Sequence, residues 1–481
     1  MSGRAQQRIL GGSDLKRIFT AHRGLSLLAA LSLFSIATPS SAVVEMINGY
    51  DHGLPIKLFD EHMVLQRDAN DPVWGTAAPG EHVTVTIASQ TKETDAAPNG
   101  TWRVVLDPVS AGGPYEMVVA GASNTLTFGD ILFGDVWLMA GQSNLMIHRP
   151  FPGVMADNPD SRVFKRTWFD RVGGIPFHFA RSMTEELGIP VAVLQCTARG
   201  SSGLARTWIA PEGADLGDQV IADIIATGNF GQSYEASVVR DEGFKIKGFI
   251  WWQGESDTRS RNDPGEEYAH VLPAVVQSWR HMWQDDTLPF LFMMEPVGGG
   301  MLAEQTVPDP LPDPNYTPQQ SAHMRQAFIR ALRIPNTQVI TNADLVAGLH
   351  PRDREGYLQR IVDAVMGFVY GAPIIFAGPT YQGMSIESGN HVRIRFRPGT
   401  ATGLQARGGP LQGFSISGDG VTFTWATNAQ IEGEEVVVWS DDVPSPTIVR
   451  YGYHKEYGFA NLANGAGMGA PTFTTDAEPY E

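Results

Sequence analysis

From about residue 131 to residue 371, short apolar runs alternate with segments of helical period, and this alternation constrains the fold most. The runs are Asp135–Ala140, Pro190–Cys196, Ile246–Trp252, Pro289–Met294 and Thr337–Thr341. Between and after them come Ile175–Leu187, Glu266–Trp283, Ser321–Leu332 and Pro351–Phe368, whose apolar positions recur every three to four residues. A short run that is apolar on both faces fits a strand covered from both sides, and crossover helices supply the cover. The pattern predicts a doubly wound α/β layer with a parallel sheet. Pro273 is expected to kink or split the second helix.

The flanks read differently. Between about 55 and 130, Val83–Ile87 and Trp102–Leu106 alternate in hydrophobicity around the turns Ala78-Pro79-Gly80-Glu81 and Pro98-Asn99-Gly100. After about Ala372 the alternation returns in Val392–Phe396 and Phe414–Ile416, with Val436–Trp439 as an apolar run. A β module is therefore expected at 55–130, the α/β domain at 131–371 and a second β module at 372–481, both modules sandwich-like. Residues 296–317, rich in Pro, Gly and Asp, read as a long loop.

The first 42 residues read as a targeting segment. Arg4, Arg8, Lys16, Arg17 and Arg23 precede the apolar stretch Leu25–Ala37, and small residues lead to Ala42. That is the pattern of a secretory signal peptide, and the apolar stretch is short for a membrane span. The expected location is the periplasm or the cell exterior, with no membrane association after cleavage. Thirty-five Lys and Arg against 52 Asp and Glu give a net charge of −17, which repels phosphate backbones and argues against nucleic acid as a partner. The single cysteine, Cys196, excludes an intrachain disulfide framework and a Cys-rich metal site.

Three segments carry chemistry. In Gly134–Asn144 an apolar run ends at Gly141, and Ser143 follows just past its carboxyl end, where open α/β sheets gather reactive groups. Ser143 reads equally as a nucleophile awaiting a base or as a turn residue capping a helix. In Gly248–Asp257 a second run ends in Gln253, whose amide suits an oxyanion, and Glu255, a carboxylate beside a glycine turn. In Asp344–Pro351, His350 precedes a proline suited to the first helical position, so the histidine is expected at a helix N-terminus, where the macrodipole keeps the ring neutral. A lone histidine at a helix start is more often a cap or surface residue. Together the three segments supply nucleophile, oxyanion donor and base.

These residues resemble the sialate O-acetylesterase family of SGNH-type serine esterases. The family's nucleophile block is matched by Gly134-Asp135-Val136-Trp137 and Gly141-Gln142-Ser143-Asn144. Its W-Q-G-E-S block is matched by Trp252–Ser256, and its histidine block by Leu349-His350-Pro351. Met63–Arg67, Pro72–Gly75, Val449–Gly452 and Thr472–Asp476 extend the likeness over about residues 56–476. The resemblance implies an SGNH, flavodoxin-like three-layer α/β domain that removes O-acetyl groups from sugars, chiefly sialic acid, without a metal or other cofactor. It makes Ser143 the nucleophile and His350 the base. The oxyanion is then held by the N–H of Ser143, a glycine read as Gly200, and Gln253.

Two departures follow. Relatives place an aspartate two or three residues before the histidine, where this chain has Ala347 and Gly348. The orienting acid is then Glu255, preferred, or Asp344. The family's glycine block is replaced by Gln195–Gly203, in which Arg199 is a candidate for facing the substrate. Asn144 and Trp208 complete the expected substrate contacts. A sialate enzyme needs a basic anchor such as Arg199, Arg206 or Arg259, whereas an acetyl xylan esterase needs a stacking aromatic such as Trp208. A carbohydrate-binding protein that has lost activity is the reading from a different class.

Overall fold

The computed structural model describes residues 44–46, 50–51, 54–55, 57–146, 158–165, 167–169, 174–198, 204–210, 212, 214, 217–228, 230–238, 243–260, 264–294, 311–315, 320–345, 350–351, 354–387, 389–454 and 458–476. The amino-terminal targeting segment lies outside them.

The α/β region is built on six strands: β1 (Thr125–Gly141), β2 (Ser161–Phe164), β3 (Val191–Thr197), β4 (Gly248–Trp252), β5 (Phe290–Met293) and β6 (Thr337–Ile340). They pair in the order β2-β3-β1-β4-β5-β6, and every pairing among them is parallel. All five expected runs are strands. The helices are α1 (Ser143–Met146), α2 (Ile175–Leu187), α3 (Gln219–Ala226), α4 (Glu255–Ser260), α5 (Pro264–Trp283), α6 (Gln320–Arg330) and α7 (Glu355–Phe368). Pro273 lies inside α5, which is continuous across it.

The period of two along each strand sorts its side chains onto two faces. Trp137, Met139, Val191, Val193, Ile250, Trp252, Leu291 and Met293 form one buried cluster with residues of α2 and α7. Val136, Leu138, Ala192, Leu194, Phe249, Trp251 and Phe292 belong to the other, with Trp279 of α5 and Phe328 of α6. Each large apolar side chain so enclosed contributes roughly 1.5–3 kcal/mol relative to exposure. Cys196 is buried in the second cluster.

Strand β1 is 17 residues long and crosses the expected boundary at 130/131 without a linker. Its first half pairs antiparallel with Gly112–Ala120, and Val64–Gln66 pairs parallel beside Leu132–Gly134. Its second half lies between β3 and β4. The amino-terminal strands thus continue into the central sheet. Beyond α7 lie two four-stranded sheets, antiparallel throughout, running in the orders 381–386, 392–396, 435–439, 428–432 and 424–425, 414–417, 448–451, 473–474. The molecule is a mixed α/β fold with a mostly parallel central sheet and additional β regions.

Candidate active site

The strand order reverses at β1: β3 lies on one side and β4 on the other. At such a switch point the loops leaving the carboxyl ends diverge and open a crevice. In the β1–β4 register Gly141 stands opposite Trp252, so the two segments that follow emerge side by side. Gly141 makes this approach possible. A Cβ there would lie 1.9 Å from the carbonyl oxygen of Trp252, and the backbone has φ +158°. The Gln142 N–H donates to that same oxygen at 3.2 Å.

The Gln142 side chain laces the two strand ends together. Its amide donates to Ser256 Oγ, and its Oε1 accepts from the Ser256 N–H at 3.2 Å and from Gln253 Nε2 at 3.4 Å. Ser143 is the next residue and opens the one-turn helix α1. The helix-start position expected of Ser143 is therefore seen, and its side chain is partly exposed. Its N–H opens the helix and has no intrahelical acceptor.

Ser143 Oγ lies 2.7 Å from His350 Nε2 across 207 residues of chain. Both residues are partly exposed, while their neighbours Gln142 and Asn144 are buried. With the imidazole proton on Nδ1, the serine hydroxyl donates to Nε2, as a nucleophile does to its base. The histidine does not sit at a helix N-terminus as expected. Helix α7 begins at Glu355 after Arg354, leaving His350 and Pro351 in the preceding loop. The macrodipole argument for a neutral ring falls with that assignment.

Neither expected carboxylate is hydrogen-bonded to the His350 ring. Asp344 pairs with Arg360 Nη2 at 2.5 Å and accepts from the Gly469 N–H at 3.3 Å. Glu255 Oε1 accepts from Asn144 Nδ2 at 2.5 Å, and its Oε2 has no side-chain partner. Glu255 is 3% exposed, and burial pushes its carboxyl up to about 7 against the pull of Asn144 and Arg354.

Gln253 lies at the end of β4, beside Gln142. Its Nε2 donates to Asp257 Oδ2 and Gln142 Oε1, and Tyr268 donates to its Oε1 at 3.0 Å. Both amide hydrogens are therefore committed inside the protein, which leaves none for an oxyanion in this arrangement. Asn144, expected to touch substrate, is fully buried and spans Glu255 and Arg354. Trp208 is also fully buried, packed edge-on against Trp251 and close to Trp279, so its ring cannot stack on a sugar. Gly200 and Arg199 lie outside the described residues. Arg206 pairs with Glu267 at 3.7 Å and carries only 13% side-chain exposure.

Two residues of this neighbourhood went unremarked in the sequence. Asp257 is buried, accepts from Gln253 and from the Ala205 N–H at 3.1 Å, and is raised by burial to about 7. Its only sequence signal is its place four residues after Gln253, one helical turn. Arg354 is 4% exposed, donates to Asn144 Oδ1 at 3.5 Å and lies 5.5 Å from the centre of the Trp252 ring. No local spacing marks it, because its partners lie on two other segments.

Residues 154–349 match the family described as carbohydrate esterase, sialic acid-specific acetylesterase. Curated proteins named sialate O-acetylesterase from Pongo abelii and Homo sapiens are each 25% identical over 386 residues, covering 66% of this chain and 71% of theirs. That of Mus musculus is 24% identical over 425 residues, covering 69% of this chain and 76% of its own. A solved structure described as a novel carbohydrate acetylesterase from Xanthomonas citri is 25% identical, with a TM-score of 0.73, covering 91% of this chain and all of that one. The family match holds Gln253 and Glu255 but stops one residue short of His350 and begins after Ser143. Ser143 and His350 therefore both lie outside that match.

Proposed function

We propose that this chain, a relative of the sialate O-acetylesterases, is a carboxylic ester hydrolase that removes O-acetyl groups from carbohydrate, O-acetylated sialic acid first among them, by acyl transfer through Ser143 and His350. The observation that carries this reading is the 2.7 Å approach of Ser143 Oγ to His350 Nε2 at the switch point of a parallel sheet.

In the first step His350 Nε2 takes the Ser143 proton as Oγ attacks the acetyl carbonyl carbon. The tetrahedral oxyanion is stabilised by the Ser143 N–H, which opens α1, and by a second backbone donor that the family resemblance puts at Gly200. His350 then protonates the departing sugar hydroxyl. In the second step the ring activates water, which attacks the acetyl-serine ester and frees acetate. Gln253 serves as a brace: its amide, held by Asp257, Gln142 and Tyr268, fixes the end of β4 against the end of β1. Glu255 acts through Asn144 and not on the ring.

Two coarser expectations extend the proposal. The basic and apolar leader supports export, and no helix among the described residues is long and apolar enough to cross a membrane. The segments 55–130 and 372–481 are proposed as β modules flanking the catalytic region at 131–371, the first joined to the central sheet through β1. The burial of Trp208 removes the aromatic that favoured a xylan substrate. Acetate release from O-acetylated sialic acid and from acetylated xylooligosaccharide, measured side by side, tests the substrate class. The proposal expects the sialic acid ester to be preferred by kcat/KM, and a preference for the xylooligosaccharide contradicts it.

A further inference from the structure

A buried chain of three side chains crosses the floor of the site. Arg354 Nη2 donates to Asn144 Oδ1 at 3.5 Å, and Asn144 Nδ2 donates to Glu255 Oε1 at 2.5 Å. All three are at most 4% exposed. They come from three segments that each carry part of the site. Asn144 follows Ser143 directly, Glu255 opens α4 after the end of β4, and Arg354 lies four residues after His350. The Arg354 guanidinium also lies 5.5 Å from the centre of the Trp252 ring, and the carbonyl of Trp252 holds the Gln142 N–H. A cation over an aromatic face gains electrostatically, most when both are withdrawn from water.

We propose that Arg354 is a positioning residue of the Ser143–His350 pair, tying the histidine segment to the nucleophile turn through Asn144 and Glu255. The inference rests on the esterase reading above. Its physical basis is that a neutral amide is sandwiched between a buried cation and a buried carboxylate. The cation can only donate and the ionised carboxylate can only accept, so the amide has one orientation that satisfies both. That orientation fixes Asn144, and with it the helix turn that begins at Ser143. Because the cation is borne by the chain segment of His350, the same contact sets how far that segment reaches toward Ser143 Oγ. A near-attack geometry is sensitive to displacements of this kind, and misplacement by about 1 Å costs on the order of 10²-fold in rate.

Burial raises the Glu255 carboxyl most, and its own backbone N–H pulls it back toward ionisation. Asn144 and Arg354 favour its ionised form, and Asp257, on its own helix, disfavours it. Removing the Arg354 charge therefore drives the Glu255 carboxyl further upward. The ionised carboxylate that holds Asn144 is then present only at higher pH.

The test is a double-mutant cycle read by pH profile. Wild type, Arg354→Met, Arg354→Lys, Glu255→Gln and Arg354→Met/Glu255→Gln are assayed with a nitrophenyl acetate ester across the acid limb. Fluorophosphonate labelling of Ser143 is followed in each. The expected results are a fall in kcat of about tenfold or more for Arg354→Met with KM within about twofold, and partial recovery in Arg354→Lys. Lysine restores charge but not the planar fork. Arg354→Met is also expected to move the acid limb to higher pH when Glu255 is present and to leave it unmoved in the Glu255→Gln background. The double variant, which removes both buried charges, keeps the comparison available if Arg354→Met alone does not fold. Wild-type kcat and limb in folded Arg354→Met, or an equal limb shift in both backgrounds, would overturn the inference while leaving the esterase reading intact. Wild-type protein that hydrolyses no ester and resists labelling at Ser143 would overturn both.

Discussion

At Ser143 a partly exposed hydroxyl has an imidazole nitrogen 2.7 Å away and buried neighbours on either side. In the proposed acyl transfer nucleophile and base act as a unit, so their loss is not additive. Ser143→Ala and His350→Ala are each expected to lower kcat by ~10³-fold or more, and the double variant to be no slower than the worse single one, as measured by acetate release. Asp257 supports a prediction of stability. Its carboxyl is raised by burial from 3.8 to about 7, so the folded state binds the proton more tightly than the unfolded chain. The stability this contributes is complete below the ordinary carboxylate range and is lost as pH rises through about 7. In Asp257→Asn, which keeps an acceptor for Gln253 without the charge, the decline in melting temperature between about pH 4 and 7 is expected to flatten. An unchanged slope would assign the pH dependence to another group. The chemistry of this scale was legible in part. Ser143 stands just past the end of β1 and His350 beside a proline ahead of α7, positions that the sequence singles out, whereas the partners of Glu255, Gln253 and Asn144 depend on rotamers set by packing.

At the scale of elements, the site exists because β1 and β4 end level with each other and almost touch. Gly141 permits this, and Gly141→Ala would drive a methyl to within 1.9 Å of the Trp252 carbonyl oxygen. Since backbone cannot yield cheaply, the variant is expected to lose several kcal/mol of stability in denaturant unfolding, or to fold with the strand ends spread and little esterase activity. The five strand runs were readable because burial on both faces leaves them apolar throughout. The start of α7 was not. Pro351 looks like a first helical residue, yet the helix waits until Glu355. Ahead of that start His350 reaches Ser143 and Arg354 reaches Asn144, so local propensity gives way to the demands of the site.

Across the whole molecule, distant β regions hold the catalytic sheet at its two ends. Asp135, fully buried on β1, accepts from Arg67 at 2.9 and 3.0 Å, from Gln66 at 3.0 Å and from Tyr370, beyond α7, at 2.7 Å. Removing the cation leaves a buried carboxylate uncompensated, so Arg67→Met is expected to cost about 3–5 kcal/mol in denaturant unfolding, far more than an exposed ion pair would. At the other end, the carboxy-terminal β region supports the histidine loop: the Gly378 N–H donates to Thr341 Oγ1 at 2.9 Å, and the Gly469 N–H reaches Asp344. The sequence shows that β regions flank the catalytic layer. It does not show that β1 runs on from one into the other, because the change of pattern near 131 marks where the strand's burial and pairing partners change and not where it ends. The proposed function turns on acyl transfer through Ser143. Its most direct measurement is peptide mapping by mass after rapid acid quench of enzyme mixed with nitrophenyl acetate. The account predicts an acetyl group on the peptide containing Ser143, at Ser143 and absent from Ser143→Ala. Hydrolysis that continues in Ser143→Ala, or an acetyl group found on another side chain in its place, would contradict it.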